Sequence, residues 1–477
     1  MARGAVSQRN RGAAAPLPPN PLPPNPQFKD NKNRPFLKPV SVLSNITLGQ
    51  GRAVFQVHPF LPLVASCGES RVIQISSSEL DPAPGSEVSP RIPEVGEGPA
   101  PTLVVDQIIP PSPTNVTSLR WSPDGGWLAA TQQNSSKVVL WNLSTRESKS
   151  LEAQDKNLTF LAFADTKGGG ELRLAVGTGR GTCVIYDVKT GMRVATTGGG
   201  GGKGGKSKTI VGGGWGLDED GCLGYWTHDG TIVLADRGGK ETGTISVRAG
   251  IREVSFSPED NRTLVIVPNK KKAELSVVEL SKDCQKKVQT ELVFKPEWGE
   301  IVKTIWMPNG SLLVGFKEGY IVNLDKERKV QRFAGKFITS DEAPLIDMAY
   351  HPRSGSVAFG SIAIATSKKV KLVNLNSGTS TFEVCEWAVD EPSVRPTTTT
   401  TCMDNIAFTK SGLVCASTSG GSILLFEKAN GGVTLLMAAA EKMIVLFSDF
   451  SLLADISATA FMAMAAAFVV SHLYQLR

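Results

Sequence analysis

The chain has 477 residues, which is enough for one large all-β domain with appendages or for two to three ordinary domains. Lysine and arginine total 51 against 45 acidic residues, and residues 1–40, with seven bases and one acid, account for the whole net charge of +6. The neutral remainder lacks the cationic footprint that binding to a phosphate backbone requires, so nucleic acid is not an expected partner.

Cysteine and histidine usage argues against a metal site. The seven cysteines include no C-x-x-C pair and the chain has only four histidines, so the spacing of a zinc site is absent. The N-terminus has no apolar core of the length that a secretory signal needs. We therefore expect a cytoplasmic protein without a metal or other cofactor, whose reduced cysteines pack as small apolar residues.

The first segment of the chain, residues 1–40, is predicted to be a disordered, basic tail. Its charges are combined with Pro-Leu-Pro-Pro-Asn-Pro repeats around residues 16–26. Such a composition favours extended polyproline II structure and provides no core to bury. We favour a solvated tail over a ligand for a receptor of proline motifs.

A repeat follows, and its clearest copy is residues 116–143. Val116–Trp121 alternates inward and outward, Ser122–Gly126 forms a tight turn, and Trp127–Thr131 alternates again. After a polar break, Lys137–Asn142 gives a third strand that ends in Trp-Asn, where WD repeats usually have Trp-Asp. Three strands and two turns make most of one blade of a β-propeller.

The pattern recurs every 41 to 58 residues, near the period expected of WD repeats. It predicts an all-β WD-repeat propeller over residues 41–430. Eight units fit either a seven-bladed ring with the start of a further element or an eight-bladed ring, and the pattern does not decide between them. The first strand ends at an aromatic residue in seven units: Trp121, Phe163, Trp215, Phe256, Trp306, Tyr350 and Phe408. The eight units are 45–80, 114–146, 157–195, 208–240, 247–295, 299–333, 343–376 and 402–428.

Two inserts interrupt the predicted propeller. Residues 81–113 are rich in proline, serine and glutamate, and residues 198–207 are dominated by glycine. Segments of these compositions do not bury enough apolar surface to pack, so both inserts are predicted to be flexible loops. A β-sandwich or a solenoid is the alternative architecture.

The second insert also fits the expression for a phosphate-binding loop, G-x-x-x-x-G-K-[ST], at Gly200–Ser207. That loop works where a strand delivers it and a helix follows, because the helix N-terminus and successive backbone amides converge on phosphate. Here Val194–Thr197 and Thr209–Trp215 on either side both have strand character. We therefore interpret the match, including Lys206, as a flexible connection between two blades.

Other candidate sites also have structural explanations. Gly177–Gly181 looks like part of a dinucleotide fingerprint, but it joins two strands as a hairpin turn. His58 and His351 precede the proline of the same turn in two units, which indicates packing or a turn contact, and Lys270–Lys272 is predicted to be a solvated hairpin tip. No Ser/His/Asp or Cys/His set can be assembled, so we expect no enzyme and no catalytic, cofactor-binding or metal-binding residues.

The C-terminal segment, residues 431–477, is apolar and predicted to be helical. No charged residue lies between Asp455 and Arg477, and residues 456–473 have about the length that spans a thin bilayer. Alanine, serine and threonine dilute the segment and make insertion marginal. A membrane contact through residues 456–473, a buried helix, and a tail foreign to the fold all stay open.

Several blade sequences look like consecutive blades of one family. They are Leu158–Phe163, Leu174–Thr178, Cys183–Asp187, Gly212–Trp215, Gly230–Ile232, Gly299–Val302, Val314–Val322, Leu413–Thr418 and Gly420–Ile423. Their order resembles the N-terminal propeller of the intraflagellar transport 144 / WD-repeat protein 19 family, a WD-repeat subunit of intraflagellar transport complex A. The resemblance covers roughly residues 41–430.

The resemblance implies a non-enzymatic scaffold in retrograde ciliary transport. Its partners would be the other complex A subunits and ciliary cargo, and its location the cytoplasm, the cilium or flagellum and the basal body. The family continues into a second propeller and a helical-repeat solenoid, so contacts made through those parts are not expected of these 477 residues.

An alternative function comes from a different class of protein. A tail-anchored propeller that acts as an exchange factor for a small GTPase at the endoplasmic reticulum has the same layout of propeller and tail. Such factors carry a glycine- and lysine-bearing loop in an early blade, whereas Gly198–Lys208 precedes the fourth unit. This difference favours the scaffold.

Overall fold

The structure is a computed structural model. By compactness the chain divides into a unit of Met1–Lys29 with Leu37–Lys428, which contains the sheets, and a unit of Asp30–Phe36 with Ala429–Arg477. Of the second unit only residues 36 and 429 are described. The described residues are 36–44, 54–67, 71–77, 105–109, 114–164, 171–198, 208–216, 221–259, 262–328, 330–340, 342–352, 360–367, 369–375, 382–388, 403–410, 412–418 and 423–429.

The described residues form eight four-stranded sheets, which we call blades 1 to 8. In blades 1 to 7 four consecutive strands pair in chain order, and neighbouring strands run antiparallel. At six of the eight blade junctions the first strands of neighbouring blades contact one another, so the first strands surround the centre of a propeller. The strands of blades 1 to 4 are β2 (Val54–Val57), β3 (Leu63–Cys67), β4 (Ile73–Ser77), β5 (Val105–Ile109), β6 (Val116–Trp121), β7 (Trp127–Gln132), β8 (Lys137–Asn142), β9 (Ser148–Glu152), β10 (Leu158–Phe163), β11 (Arg173–Thr178), β12 (Thr182–Asp187), β13 (Arg193–Gly198), β14 (Ile210–Trp215), β15 (Leu223–Thr227), β16 (Thr231–Ala235) and β17 (Glu241–Ser246).

Blade 8 is built differently, because its outer strand comes from the N-terminal end of the chain. The order in this sheet is β1-β32-β31-β30, with β1 (Phe36–Ser44) in the place that the fourth strand has elsewhere. A 3₁₀ helix, Pro296–Trp298, links blades 5 and 6. The strands of blades 5 to 8 are β18 (Ile251–Phe256), β19 (Thr263–Pro268), β20 (Glu274–Leu280), β21 (Lys286–Val293), β22 (Ile301–Trp306), β23 (Leu312–Phe316), β24 (Tyr320–Leu324), β25 (Val330–Lys336), β26 (Leu345–Pro352), β27 (Gly360–Thr366), β28 (Lys369–Leu375), β29 (Phe382–Ala388), β30 (Met403–Phe408), β31 (Val414–Thr418) and β32 (Ile423–Ala429).

The core is divided into eight apolar clusters, and each lies between two neighbouring blades. One of them joins Phe55 and Val64 of blade 1 to Cys415, Ile423 and Leu425 of blade 8. The ring is therefore closed, with eight blades and eight interfaces. Eight blades resolve the choice between seven and eight that the sequence pattern left open.

Tryptophans at the end of three inner strands tie each blade to the one before it. In each case the indole Nε1–H donates to a backbone carbonyl in the inner strand of the preceding blade. The acceptor residue comes just before the residue of that strand that is equivalent to the tryptophan. Trp121 donates to Gln56 O at 3.2 Å. Trp215 donates to Ala162 O at 3.1 Å, and Trp306 donates to a carbonyl of blade 5 at 3.4 Å. The recurring aromatic residue is thus both a packing residue and, where it is tryptophan, an interblade donor.

The two middle strands of a blade are buried on both faces, because a neighbouring blade covers each face. In β15 and β23 every residue is buried. The outer strands differ, since β9 and β13 each bury a single residue, Leu151 and Thr197. The apolar pattern of the sequence predicted three strands per unit but not the fourth, because one buried residue in five or six gives no recognisable apolar pattern.

Strands occupy parts of three segments that were predicted to be disordered or flexible. The strand β1 begins at Phe36, within the segment 1–40 that was predicted to be a disordered tail. Val105–Ile109, within the predicted loop 81–113, forms the outer strand of blade 1. Gly198, the first residue of the second predicted loop, is the last residue of β13. The rest of both loops, residues 1–35 and the C-terminal segment 431–477 lie outside the described residues.

The expectation that all seven cysteines are reduced is wrong for two of them. Cys222, before β15 of blade 4, and Cys284, before β21 of blade 5, form a disulfide with a Cα–Cα distance of 5.7 Å. They are 62 residues apart in the sequence, and only the packing of neighbouring blades brings them together. Cys183 and Cys415 are free and buried, as predicted, and Cys67 is buried as well.

Candidate functional site

Two sides of the ring carry different connections. We call the side where first strands turn into second strands the turn side, and the opposite side, where one blade leads into the next, the linker side. The inner strands run from the linker side to the turn side around a central channel. Function in such a ring depends on what the channel and the two sides present to other molecules.

Two of the three cationic side chains of the described inner strands have carboxylate partners. The Arg252 guanidinium lies 2.5 Å from Glu300, and Lys303 Nζ lies 3.9 Å from Asp347 Oδ1. Burial raises the pKa of the Glu253 and Asp347 carboxyl groups, although the charge of Lys303 between them opposes the rise. Charge in this part of the channel is therefore compensated.

The third cation, Arg120, has no carboxylate partner among the described residues. It is the penultimate residue of β6 in blade 2, and its Nη1 donates to Gln56 Oε1 of blade 1 at 2.8 Å. The channel wall surrounds the guanidinium, and this desolvation lowers its pKa. The side chain nevertheless stays exposed to solvent. An uncompensated cation is therefore available at the turn-side mouth of the channel.

A cavity of about 350 Å³ lies beside Arg120, which we call the channel-mouth cavity. Residues of blades 1 to 4 surround it at the turn-side ends of their inner strands. The position of Arg120 in blade 2 is occupied by small residues in the next two blades, Ala162 in blade 3 and Gly214 in blade 4. The cavity therefore extends across to blade 4. Its lining is Gln56, Val57, Pro59, Arg120, Trp121, Ser122, Pro123, Leu161, Ala162, Phe163, Gly213, Gly214 and Trp215.

Pro59 lines this cavity, and the turn that follows it exposes two apolar side chains, Phe60 (57 % exposed) and Leu61 (44 % exposed). Their backbone N–H groups donate to His58 Nδ1 at 3.1 and 2.8 Å. The ring proton must then lie on Nε2, which donates to Gly125 O of blade 2 at 3.0 Å. Burial lowers the pKa of His58 and favours this neutral ring.

A larger cavity, about 530 Å³, lies between blades 5 and 6, and three glutamates and two bases line it. Lys326 forms an ion pair with Glu259 across it. Arg328 donates to Gly310 O at 3.1 Å, and its guanidinium lies 4.8 Å from the ring of Trp306. These groups hold the two blades together, and glutamates outnumber bases in the lining of the cavity.

Comparison with known proteins places this ring in a family. The family described as "WDR19 first beta-propeller" matches residues 104–421, which is more than half of the chain. The chain belongs to this family. The resemblance inferred from the order of the blade sequences is thereby confirmed.

Curated relatives of this WDR19-type propeller are much longer proteins. The chain is 26 % identical over 219 residues to WD repeat-containing protein 19 of Homo sapiens, a match that covers 44 % of this chain and 15 % of that protein. It is 24 % identical over 232 residues to WD repeat-containing protein dyf-2 of Caenorhabditis elegans, covering 46 % and 15 %. The matched region thus spans about a seventh of either relative.

Solved structures share the fold of this WDR19-type propeller at low identity. Sqt1 from Chaetomium thermophilum superposes with a TM-score of 0.60 at 12 % identity, covering 83 % of this chain and all of that one. The C-terminal WD40 domain of Sif2 gives 0.57 at 13 %, covering 82 % and 98 %, and the computationally designed Ika8 protein gives 0.55 at 12 %, covering 81 % and 99 %. These similarities concern the fold alone.

The motifs singled out in the sequence take structural places in the WDR19-type propeller. Gly177–Gly181 forms the turn between β11 and β12, and Lys270 of the hairpin tip pairs with Glu274 at 2.5 Å. His58 makes the predicted turn contact, and the His351 ring lies 5.3 Å from Phe408 of the next blade.

The phosphate-loop expression leads into a strand, because β14 begins at Ile210. Residues 200–207 themselves lie outside the described part of the chain, as does His472. Within the part that is described, no three His, Cys, Asp or Glu side chains form a group suited to a metal ion. No helix in that part is long and apolar enough to cross a bilayer.

Sequence reasoning missed Arg120 and the apolar pair Phe60-Leu61. Arg120 alternates with buried Leu119 and Trp121, which is typical of a strand with one face in solvent. The signal that could have found it is its position, since the penultimate residues of β6, β10 and β14, which are Arg120, Ala162 and Gly214, all line the same cavity.

Proposed function

We propose that this chain is a non-enzymatic WD-repeat scaffold that binds other proteins, as a subunit of intraflagellar transport complex A in the cytoplasm and cilium. The match of residues 104–421 to the first propeller of the WDR19 family supports this proposal most directly. The assignment to complex A rests on what the family resemblance implies.

The geometry of the ring also favours binding over catalysis. Its strongest candidates for acid–base chemistry are used in structure: His58 fixes a turn, and Lys303 compensates Asp347. A closed ring of small sheets offers two sides and a rim to several partners at once, without exposing long sheet edges. A scaffold needs that property more than it needs a reactive group.

Affinity capture from ciliated cells tests the proposal. The tagged full chain is the bait, and the designed Ika8 protein is the control, because it has a similar fold and was designed computationally. We expect subunits of complex A to be enriched on the chain relative to the control. Equal recovery on both baits, or recovery of a small GTPase without complex A subunits, would contradict the proposed function.

A further inference from the structure

The charge of Arg120 is the first observation that points to a ligand. Arg252 and Lys303 show that cations in these inner strands are compensated by carboxylates at 2.5 and 3.9 Å. Arg120 donates only to the amide oxygen of Gln56 within the described residues. A guanidinium presents five N–H donors in a planar fork that matches a carboxylate. Arg120 is therefore a cation whose geometry suits the carboxylate of a ligand.

The second observation is the space opposite Arg120. A Cβ on Gly213 would lie 2.3 Å from the Phe160 ring, so that glycine is required for packing. A Cβ on Gly214 would have Phe256 at 3.9 Å as its nearest neighbour, so nothing in the packing requires glycine there. The channel-mouth cavity, about 350 Å³, is thus open beside Gly214 and has room for a side chain or two of a ligand.

The third observation is the apolar rim. Phe60 and Leu61 are exposed on the turn side, yet His58 fixes their backbone through two hydrogen bonds. Pro59, the residue before them, lines the channel-mouth cavity. Apolar surface that is already ordered binds at a lower entropic cost than a mobile loop does. A cation next to rigid apolar surface matches a peptide in which an acidic residue is close to an apolar one.

We propose that the channel-mouth cavity binds an acidic segment of a protein partner, with an aspartate or glutamate carboxylate on Arg120 and an apolar side chain against Phe60 and Leu61. This proposal rests on the proposed function, since it names the chemistry of a partner that the scaffold recognises. The cavity between blades 5 and 6 is larger, but three glutamates and two bases line it, so it is less suited to an acidic ligand.

A displayed library of random heptapeptides, selected on the full chain, tests the proposal. We expect enriched peptides to contain aspartate or glutamate beside an apolar residue. In calorimetric titration, Arg120→Gln should weaken their binding at least about tenfold, because a charge-assisted pair is lost. Gly214→Asp should weaken binding similarly, because it fills the cavity and places a carboxylate near Arg120.

The control variant is Lys137→Gln, which removes the same charge from an exposed residue on the linker side and should leave binding unchanged. Replacing the acidic residue of the peptide by its amide should weaken binding to the parent chain. The same replacement should change binding to the Arg120→Gln variant very little, because that variant has already lost the charged partner. Thermal unfolding establishes that each variant is folded. If Arg120→Gln does not fold, Gly214→Asp provides the test. Absence of enriched acidic peptides, or equal binding by the parent chain and the folded variants, would overturn the proposal.

The same variants separate this inference from the proposed function. If the parent chain captures complex A subunits and Arg120→Gln captures the same set, the scaffold stands and the acidic site is wrong. If the parent chain captures no more than the Ika8 control, the proposed function itself fails, whatever the peptide titrations show.

Discussion

Trp215 illustrates how one side chain joins two blades. Its Nε1–H donates to Ala162 O at 3.1 Å, while Trp306 makes the corresponding bond at 3.4 Å. Trp215→Phe keeps most of the packing but leaves the carbonyl without this donor, so we expect a loss of about 1 kcal/mol in the free energy of unfolding. Trp306→Phe should cost less, and denaturant titrations of both variants make the comparison. An equal or larger loss for Trp306→Phe would contradict this interpretation.

Glu342 is the residue whose ionisation matters most for the linker between blades 6 and 7. Its carboxylate lies 2.5 Å from Lys371 Nζ and 2.8 Å from Lys369 Nζ, and both Glu342 and Lys371 are almost fully buried. Burial acts to raise its pKa, but hydrogen bonds from Lys369 and Lys371 lower it from 4.5 to about 2. Ionised Glu342 therefore stabilises the folded ring.

A depressed carboxyl pKa predicts a loss of stability in acid. The contribution of Glu342 is complete above pH 4.5, where the unfolded chain is also ionised, and it disappears as the pH falls toward 2. Glu342→Gln should lower the free energy of unfolding at pH 7 by about 3 kcal/mol, because the buried Lys371 ammonium loses its carboxylate. It should also flatten the dependence on pH between 4.5 and 2. The exposed Glu297→Gln is the control and should leave the profile unchanged; a steep profile in Glu342→Gln would assign the acid sensitivity elsewhere.

At the scale of elements, the disulfide fastens blade 4 to blade 5. Because Cys222 and Cys284 are 62 residues apart, the bond restricts a long loop of the unfolded chain, and its loss should cost about 2 to 4 kcal/mol. We expect dithiothreitol to lower the melting temperature of the parent chain. Cys222→Ala with Cys284→Ala should melt at that lower temperature and not respond to the reductant. A reductant effect of the same size in the double variant would mean that another bond is responsible.

The strands that could be predicted from the sequence are those defined by a pattern of residues close together in the chain. The first two strands of blade 2 were predicted because Val116–Gln132 contains an alternating pattern on both sides of a Ser-Pro-Asp-Gly turn, and the third because Lys137–Asn142 follows a polar break. The outer strand β5 was missed because Val105–Ile109 follows a long polar insert and pairs with β4 across it. The disulfide and β1 depend on contacts between residues far apart in the chain, which periodicity does not record.

The candidate site was less predictable than the fold for the same reason. Arg120 and Gln56 are 64 residues apart, and their contact exists only because blades 1 and 2 are neighbours in a ring. Conversely, the absence of a catalytic set was expected from the sequence, and it stays a prediction. The family, in contrast, could be inferred from the sequence, because the order of the blade sequences along the chain needs no knowledge of three-dimensional contacts.

At the scale of the whole molecule, stability is distributed around a closed ring. Each of the eight apolar clusters belongs to two blades, so no blade has a core of its own. Closing the ring requires β1 to pair with β32, which joins residues 36–44 to residues 423–429. That closure fixes the positions of the inner strands around the channel, on which the proposed site for an acidic segment depends.

Hydrogen–deuterium exchange of the full chain, followed by mass spectrometry, tests this closure most directly. If β1 closes the ring, peptides covering residues 36–44 exchange slowly, at rates close to those of residues 423–429. The reason is that both strands open only when blade 8 opens. Complete exchange of residues 36–44 at the shortest labelling time, with residues 423–429 still protected, would contradict a ring closed by its N-terminal strand.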